Sequence, residues 1–98
     1  MKYNIILLGD EIMRLDKFLK DSRLVKRRTV AKQMCDANKV QIDGKMAKAS
    51  SEVMIDNVIT IEYAKMFFTI KVLSLEISLA KATAYECYQE LARENKTI

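Results

Sequence analysis

Apolar residues recur at helical spacing early in the chain: Leu15, Phe18, Leu19 and Ser22 fall at i, i+3, i+4 and i+7 and predict a helix from Arg14 to about Ser22. Arg14, Lys17 and Asp21 share another face of it. Asp16, near its start, suits the helix dipole and is also placed to orient a neighbouring arginine. A second helix is expected from Arg28 or Thr29 to Ala37, with Thr29 available as a cap and Val30, Ala31, Met34 and Ala37 facing inward. Arg28 and Lys32 then lie outward. Asn38, a residue that tolerates the left-handed conformation, ends the helix.

The period changes beyond Lys39. Val40 and Ile42 alternate with polar residues and meet Asp43-Gly44, a strong hairpin signal, before Lys45-Met46-Ala47 returns. Val58 to Tyr63 and Met66 to Leu73 alternate as strands, one carrying Ile59, Ile61 and Tyr63 inward, the other Phe68, Ile70 and Val72, with Ala64-Lys65 as the turn. Phe67 faces outward, where it either stacks on a base or covers a neighbouring helix. The tail from about Ser78 to Glu94 is rich in helix formers and places Ala84, Cys87, Tyr88 and Leu91 at helical spacing, so a terminal amphipathic helix packed back on the sheet is expected. Residues 1–12 fit this scheme poorly. Tyr3 to Leu8 suits a short edge strand, yet Gly9-Asp10-Glu11 interrupts it just before Met13, which is an alternative start. The expected organisation is an N-terminal extension over residues 1–12, a core domain over 13–75 and a helical tail over 76–98.

Composition narrows the chemistry. Ninety-eight residues, half of them hydrophobic, suit one folded, monomeric domain. The chain has no histidine, only two glycines and two distant cysteines, Cys35 and Cys87. That combination argues against a zinc site, a glycine-rich phosphate loop and a histidine-based active site, so neither a metal, a cofactor nor catalysis is expected. The cysteines are expected to be small buried hydrophobes of a reducing cytosol. No stretch approaches the roughly 20 apolar residues of a membrane span, and the start lacks a signal-peptide cleavage site.

Charge is where the sequence is most uneven. From Arg14 to Lys48 eleven lysines and arginines face four aspartates, a local net of +7 in a chain whose total is +4. Such asymmetry builds a field that a polyanion feels at short range. Arg14, Lys17, Arg23, Lys26, Arg27, Arg28, Lys32, Lys39, Lys45 and Lys48 are the candidate polyanion-binding residues. Arginine forks onto phosphate oxygens, and lysine adds a mobile point charge. The tail carries Glu86, Glu90 and Glu94 and is excluded from that surface.

Three blocks then separate RNA from DNA. RLDKFL at Arg14 to Leu19, SRLVKRRTVAK at Ser22 to Lys32 and KVQIDGKMAKAS at Lys39 to Ser50 resemble, in order and spacing, the S-four-type RNA-binding domain of ribosomal proteins, and within that family its small stand-alone bacterial RqcP-type members. Two positions depart from the pattern: Asn38 stands where glycine is usual, and Ile55-Asp56-Asn57 replaces Pro-Gly-Asp. The resemblance implies an α+β fold, a helix-turn-helix followed by a small bent antiparallel sheet with a C-terminal helix. It also implies a cytoplasmic role on obstructed large ribosomal subunits. There the partners would be large-subunit rRNA, P-site tRNA and an RqcH-type factor that appends alanine tails to the stalled chain. The contacts it carries over are Arg14, Lys17, Arg23, Arg27, Arg28 and Lys32, and charge reversal at Arg14 or Arg28 is expected to abolish association with little effect on stability. Two alternatives remain: a heat-shock-type S-four protein on free large subunits with a nascent chain, and a general structured-RNA-binding accessory protein.

Overall fold

The structure, a computed structural model, describes residues 12–75 and 87–97. The strand expected within residues 3–8, the alternative start and the first part of the expected terminal helix lie outside them, save Met13 itself. In chain order the elements are β1 (Met13–Arg14), α1 (Leu15–Asp21), α2 (Arg28–Asp36), β2 (Val40–Ile42), β3 (Lys45–Met46), β4 (Glu52–Val53), β5 (Val58–Glu62), β6 (Met66–Val72) and β7 (Tyr88–Asn95). Strands β3, β2, β5, β6 and β7 form one antiparallel sheet in that order, and β1 pairs separately with β4.

Helix α1 buries Leu15, Phe18 and Leu19 completely, as their spacing requires. Each such side chain contributes about 1.5–3 kcal/mol relative to exposure. The start of α1 is clamped by the chain ahead of β4: the Leu15 amide donates to the Ser51 carbonyl at 2.8 Å and the Asp16 amide to that of Ala49 at 3.1 Å. Two helix-start amides without intrahelical acceptors are thereby satisfied. The following turn swings through Arg23 in the left-handed region, φ 66°, with its amide donating to Lys20 and that of Val25 to Leu19.

On α2 the inward stripe is narrower than expected. Ala31 and Cys35, four apart, are buried and Met34 is half-buried, whereas Val30 is 38% exposed and Ala37 lies at the surface. Small side chains face α1, and Val30, about 100° further round the helix, is turned away from the contact. Thr29 does not cap α2. The helix starts at Arg28, Arg27 is its N-cap in extended conformation, and no side chain caps it. Its other end follows the expectation: Asn38 has φ 61°, its amide donates to Cys35 and that of Lys39 to Met34, the Schellman closure usually supplied by glycine.

Asp43 and Gly44, both at positive φ (52° and 85°), make the tight β2–β3 turn. The Asp43 carboxylate also accepts the Val58 amide at 2.8 Å and the Asn57 side-chain amide at 3.0 Å, tying the hairpin to the loop before β5. In that loop Asp56 takes the left-handed place, φ 77°. Val40, Ile59, Ile61, Phe68, Ile70 and Val72 line the inner face of the sheet and join the helical residues in one core cluster. Tyr63 extends this core to the helices, its hydroxyl donating to the Leu24 carbonyl in the α1–α2 turn at 2.7 Å. Burial raises that hydroxyl's pKa to about 12, so it remains a donor. Tyr63→Phe is expected to cost about 1 kcal/mol in chemical denaturation, with faster amide exchange confined to the turn.

The tail is corrected. Residues 88–95 form a strand, not a helix, and pair antiparallel with β6 from Met66↔Asn95 to Val72↔Tyr88, with an irregularity between Thr69 and Ile70. Seven residues of β6 would otherwise present an open edge, and satisfying that ladder outweighs helix propensity, which is a weak local preference. Phe68 is flanked by an edge-on Tyr88 ring at 6.3 Å and by the Arg93 guanidinium at 4.8 Å. Phe67, on the other face, is covered by Lys96 at 5.2 Å rather than by a helix. Both cysteines are buried.

Candidate nucleic-acid interface

The centre of the basic region is an acid. Asp16 is only 3% exposed, and its carboxylate is clasped from both sides. Arg14 donates to Oδ1 through Nε and to Oδ2 through Nη2, each at 3.1 Å, and Arg28 reaches the same two oxygens at 3.4 Å. Burial pushes the Asp16 carboxyl up, but the hydrogen bonds and charges of the two arginines outweigh it and hold it below the ordinary carboxylate range. Each guanidinium remains about half exposed and keeps N–H groups that Asp16 does not use. Two arginines distant in sequence are thus fixed side by side, and the trio keeps a net positive charge.

Why these residues meet follows from the local folding. Arg14 is the N-cap of α1, Asp16 lies in its first turn, and Arg28 is the first residue of α2. Packing α1 on α2 through Leu15, Phe18, Ala31 and Cys35 brings the two helix starts together. Beside them runs a groove of about 690 Å³ lined by Arg14, Lys32, Asp36, Asn38, Met46, Lys48 and Ser50, with Cys35, Ala47 and Ala49 completing it. The loop carrying Lys48 is held by its amide donating to Ser51 Oγ at 2.8 Å and by the Ser51 amide returning to the Lys48 carbonyl at 2.9 Å. The Cys35 thiol is raised to about 11 by burial and by the charges of Asp16 and Asp36, so it stays protonated and unreactive.

The remaining candidates distribute around this groove. Lys17 pairs with Asp21 along α1 and Lys32 with Asp36 at 3.7 Å along α2, exposed pairs that leave both lysines available. Lys26 and Arg27 line a separate apolar hollow with Leu24, Val30 and Tyr63. Lys39 turns to the sheet, 3.6 Å from Glu62, which Lys96 also binds at 2.7 Å. Those bonds, that of Lys96 first, hold Glu62 below the usual carboxylate range. Arg23 sits in the inter-helix turn and Lys45 on β3, neither lining the groove. Sequence reasoning singled out the cations but not Asn38, Met46 and Ser50 as their companions, since no charge or periodicity marks them.

The S4 domain family model, the S-four type, matches residues 13–59, which contain α1, α2 and the groove. A Bacillus subtilis (strain 168) protein, the RQC P-site tRNA stabilizing factor, is 43% identical over 82 residues, covering 84% of this chain and 95% of the relative. The chain belongs to that family. A Streptococcus pneumoniae member of the same name is 38% identical over 77 residues, covering 79% of this chain and 88% of its own. The S4 fold is shared with a solved structure, the trimeric Heat Shock Protein 15 of Vibrio cholerae, which superimposes with a TM-score of 0.71 at 34% identity over 84% of both chains. Among the described residues no helix is long and apolar enough to cross a membrane.

Proposed function

We propose that the chain binds large-subunit rRNA together with P-site tRNA on obstructed large ribosomal subunits and holds the tRNA in place while an RqcH-type partner adds alanine to the stalled nascent chain. The observation that carries this reading is the Asp16 clasp, which sets two half-exposed guanidiniums beside a groove also lined by Lys32 and Lys48. Rigid forks suit phosphates of folded RNA, whose double-stranded parts are recognised by shape and backbone rather than by base edges. The uncapped first turn of α2 supports it, since helix-start amides donate to phosphate oxygens. Its membership of a family named for P-site tRNA supports the choice of RNA. Arg14, Arg28, Lys32 and Lys48 are the leading contacts, with Lys17, Arg23, Lys26, Arg27, Lys39 and Lys45 around them. The role is one of holding rather than bond making, in the cytoplasm.

A tagged full-length chain expressed in its native host tests this. Large-subunit rRNA, tRNA and an alanine-tailing factor should co-purify, whereas messenger RNA alone would overturn the reading. Free large subunits carrying a nascent chain without that factor would instead favour a heat-shock-type role, which the likeness to the Vibrio cholerae structure supports as a second reading. We further propose that one copy acts alone; a trimer mass in light scattering would refute that.

A further inference from the structure

Beneath the start of α2 lies the hollow that the phosphate-binding groove does not use. Its volume is about 480 Å³, its walls are Leu24, Val30, Met34 and Tyr63, and Lys26 and Arg27 stand at its rim. Three features of it need an occupant of mixed character. Val30 is 38% exposed on a helix whose sequence pattern would have buried it. The one polar group on the wall, the Tyr63 hydroxyl, is committed to the Leu24 carbonyl at 2.7 Å, so the cavity surface is apolar and its ring is held in place. The two rim cations, in contrast, pair with no acid among the described residues.

An apolar floor under uncompensated positive charge matches a nucleotide: a flat base with an anionic backbone. Continuity with the clasp sharpens the match. Arg27 directly precedes Arg28, so the rim of the hollow adjoins the residue that opens α2 and joins the clasp. We propose that this hollow receives one unpaired, outward-turned nucleobase of the bound RNA, its phosphates held by Arg27 and Lys26. This rests on the RNA-binding reading above and adds to it a preference for an unpaired nucleotide at one position. Because the Tyr63 hydroxyl on the wall is already committed and the remaining wall side chains are apolar, the preference follows stacking area, purine over pyrimidine, rather than base identity.

Fluorescence anisotropy with the full-length chain and three labelled RNA hairpins tests it: one with a single bulged adenosine, one with an abasic site there, and one fully paired. The wild-type protein should bind the bulged adenosine about tenfold tighter than the abasic site, equivalent to about 1.4 kcal/mol. Val30→Gln, at an exposed helical position, should erase that ratio while leaving affinity for the paired hairpin unchanged, and Val30→Leu should retain it. Equal affinity of the wild type for the adenosine and abasic hairpins overturns the proposal and leaves RNA binding intact. Failure to bind any hairpin at low salt removes the RNA-binding reading itself. If the base is ignored yet Val30→Gln weakens association with large subunits, the hollow belongs to a protein side chain, which also overturns it.

Discussion

Replacing Arg14 and Arg28 together by methionine is expected to lower Tm by more than about 10 °C, and adding Asp16→Leu to recover most of that loss without recovering RNA binding. The first effect follows from what the double variant leaves behind. Asp16 is almost fully buried and its hydrogen-bond donors are the two arginines. Removing both strands a buried carboxylate, a loss of about 3 kcal/mol or more, which in a domain of this size moves Tm by that amount. The triple variant removes the stranded group as well, and a buried ionic cluster exchanged whole for apolar side chains is close to neutral. Differential scanning calorimetry beside filter binding separates the roles. Unchanged Tm in the double variant would show that the clasp is not stabilising, and RNA affinity restored in the triple variant would remove both arginines from the interface. Acid adds an independent reading. Because folding lowers the Asp16 pKa, its contribution is fully present above the unfolded value near 4 and is lost as pH falls through the folded one. The wild type should therefore lose stability below about pH 4 more steeply than the triple variant.

The clasp also alters an expectation drawn from the sequence. Charge reversal at Arg28 looked there like a clean surface change, abolishing association and sparing stability. With Arg28 3.4 Å from Asp16, Arg28→Glu sets a second carboxylate against a buried one, so folding and binding fall together. The partnership was illegible because Arg28 is far along the chain from Arg14 and Asp16, and only the packing of α1 on α2 joins them. Local chemistry was legible where it is self-sufficient. Leu15, Phe18 and Leu19 mark α1, Asp43-Gly44 marks the hairpin, and Asn38 supplies the left-handed closure of α2 that glycine commonly supplies. It failed where a distant partner decides. Residues 88–95 carry helix formers but meet the open edge of β6, and Val30 has helical spacing yet turns away from a contact that Ala31 and Cys35 fill. For the candidate cations, the sequence offered a residue type and a stretch. Which of them share a groove depended on the fold of the loop that follows β3.

That distribution sets the second large effect. Lys32 and Lys48 both line the groove, one on α2 and one on the loop stiffened by Ser51, and neither supports a buried group. With about five phosphates neutralised, log affinity for structured RNA should fall against log salt with a slope of about −4. Between about 50 and 200 mM salt this corresponds to a loss of roughly 250-fold. Lys32→Gln with Lys48→Gln removes two of those contacts, so the slope should flatten to about −2, with Tm within about 2 °C of wild type. The control is Lys39→Gln, whose ammonium is turned to Glu62 on the sheet; the slope should move by less than about 1. Anisotropy titrations of a folded tRNA across that salt range provide the measurement. A slope unchanged in the groove variant would place the phosphates elsewhere on the basic surface. Flattening by Lys39→Gln as large as that of the groove pair would show that RNA senses the net charge of the molecule rather than the geometry that Asp16 and the Lys48 loop impose.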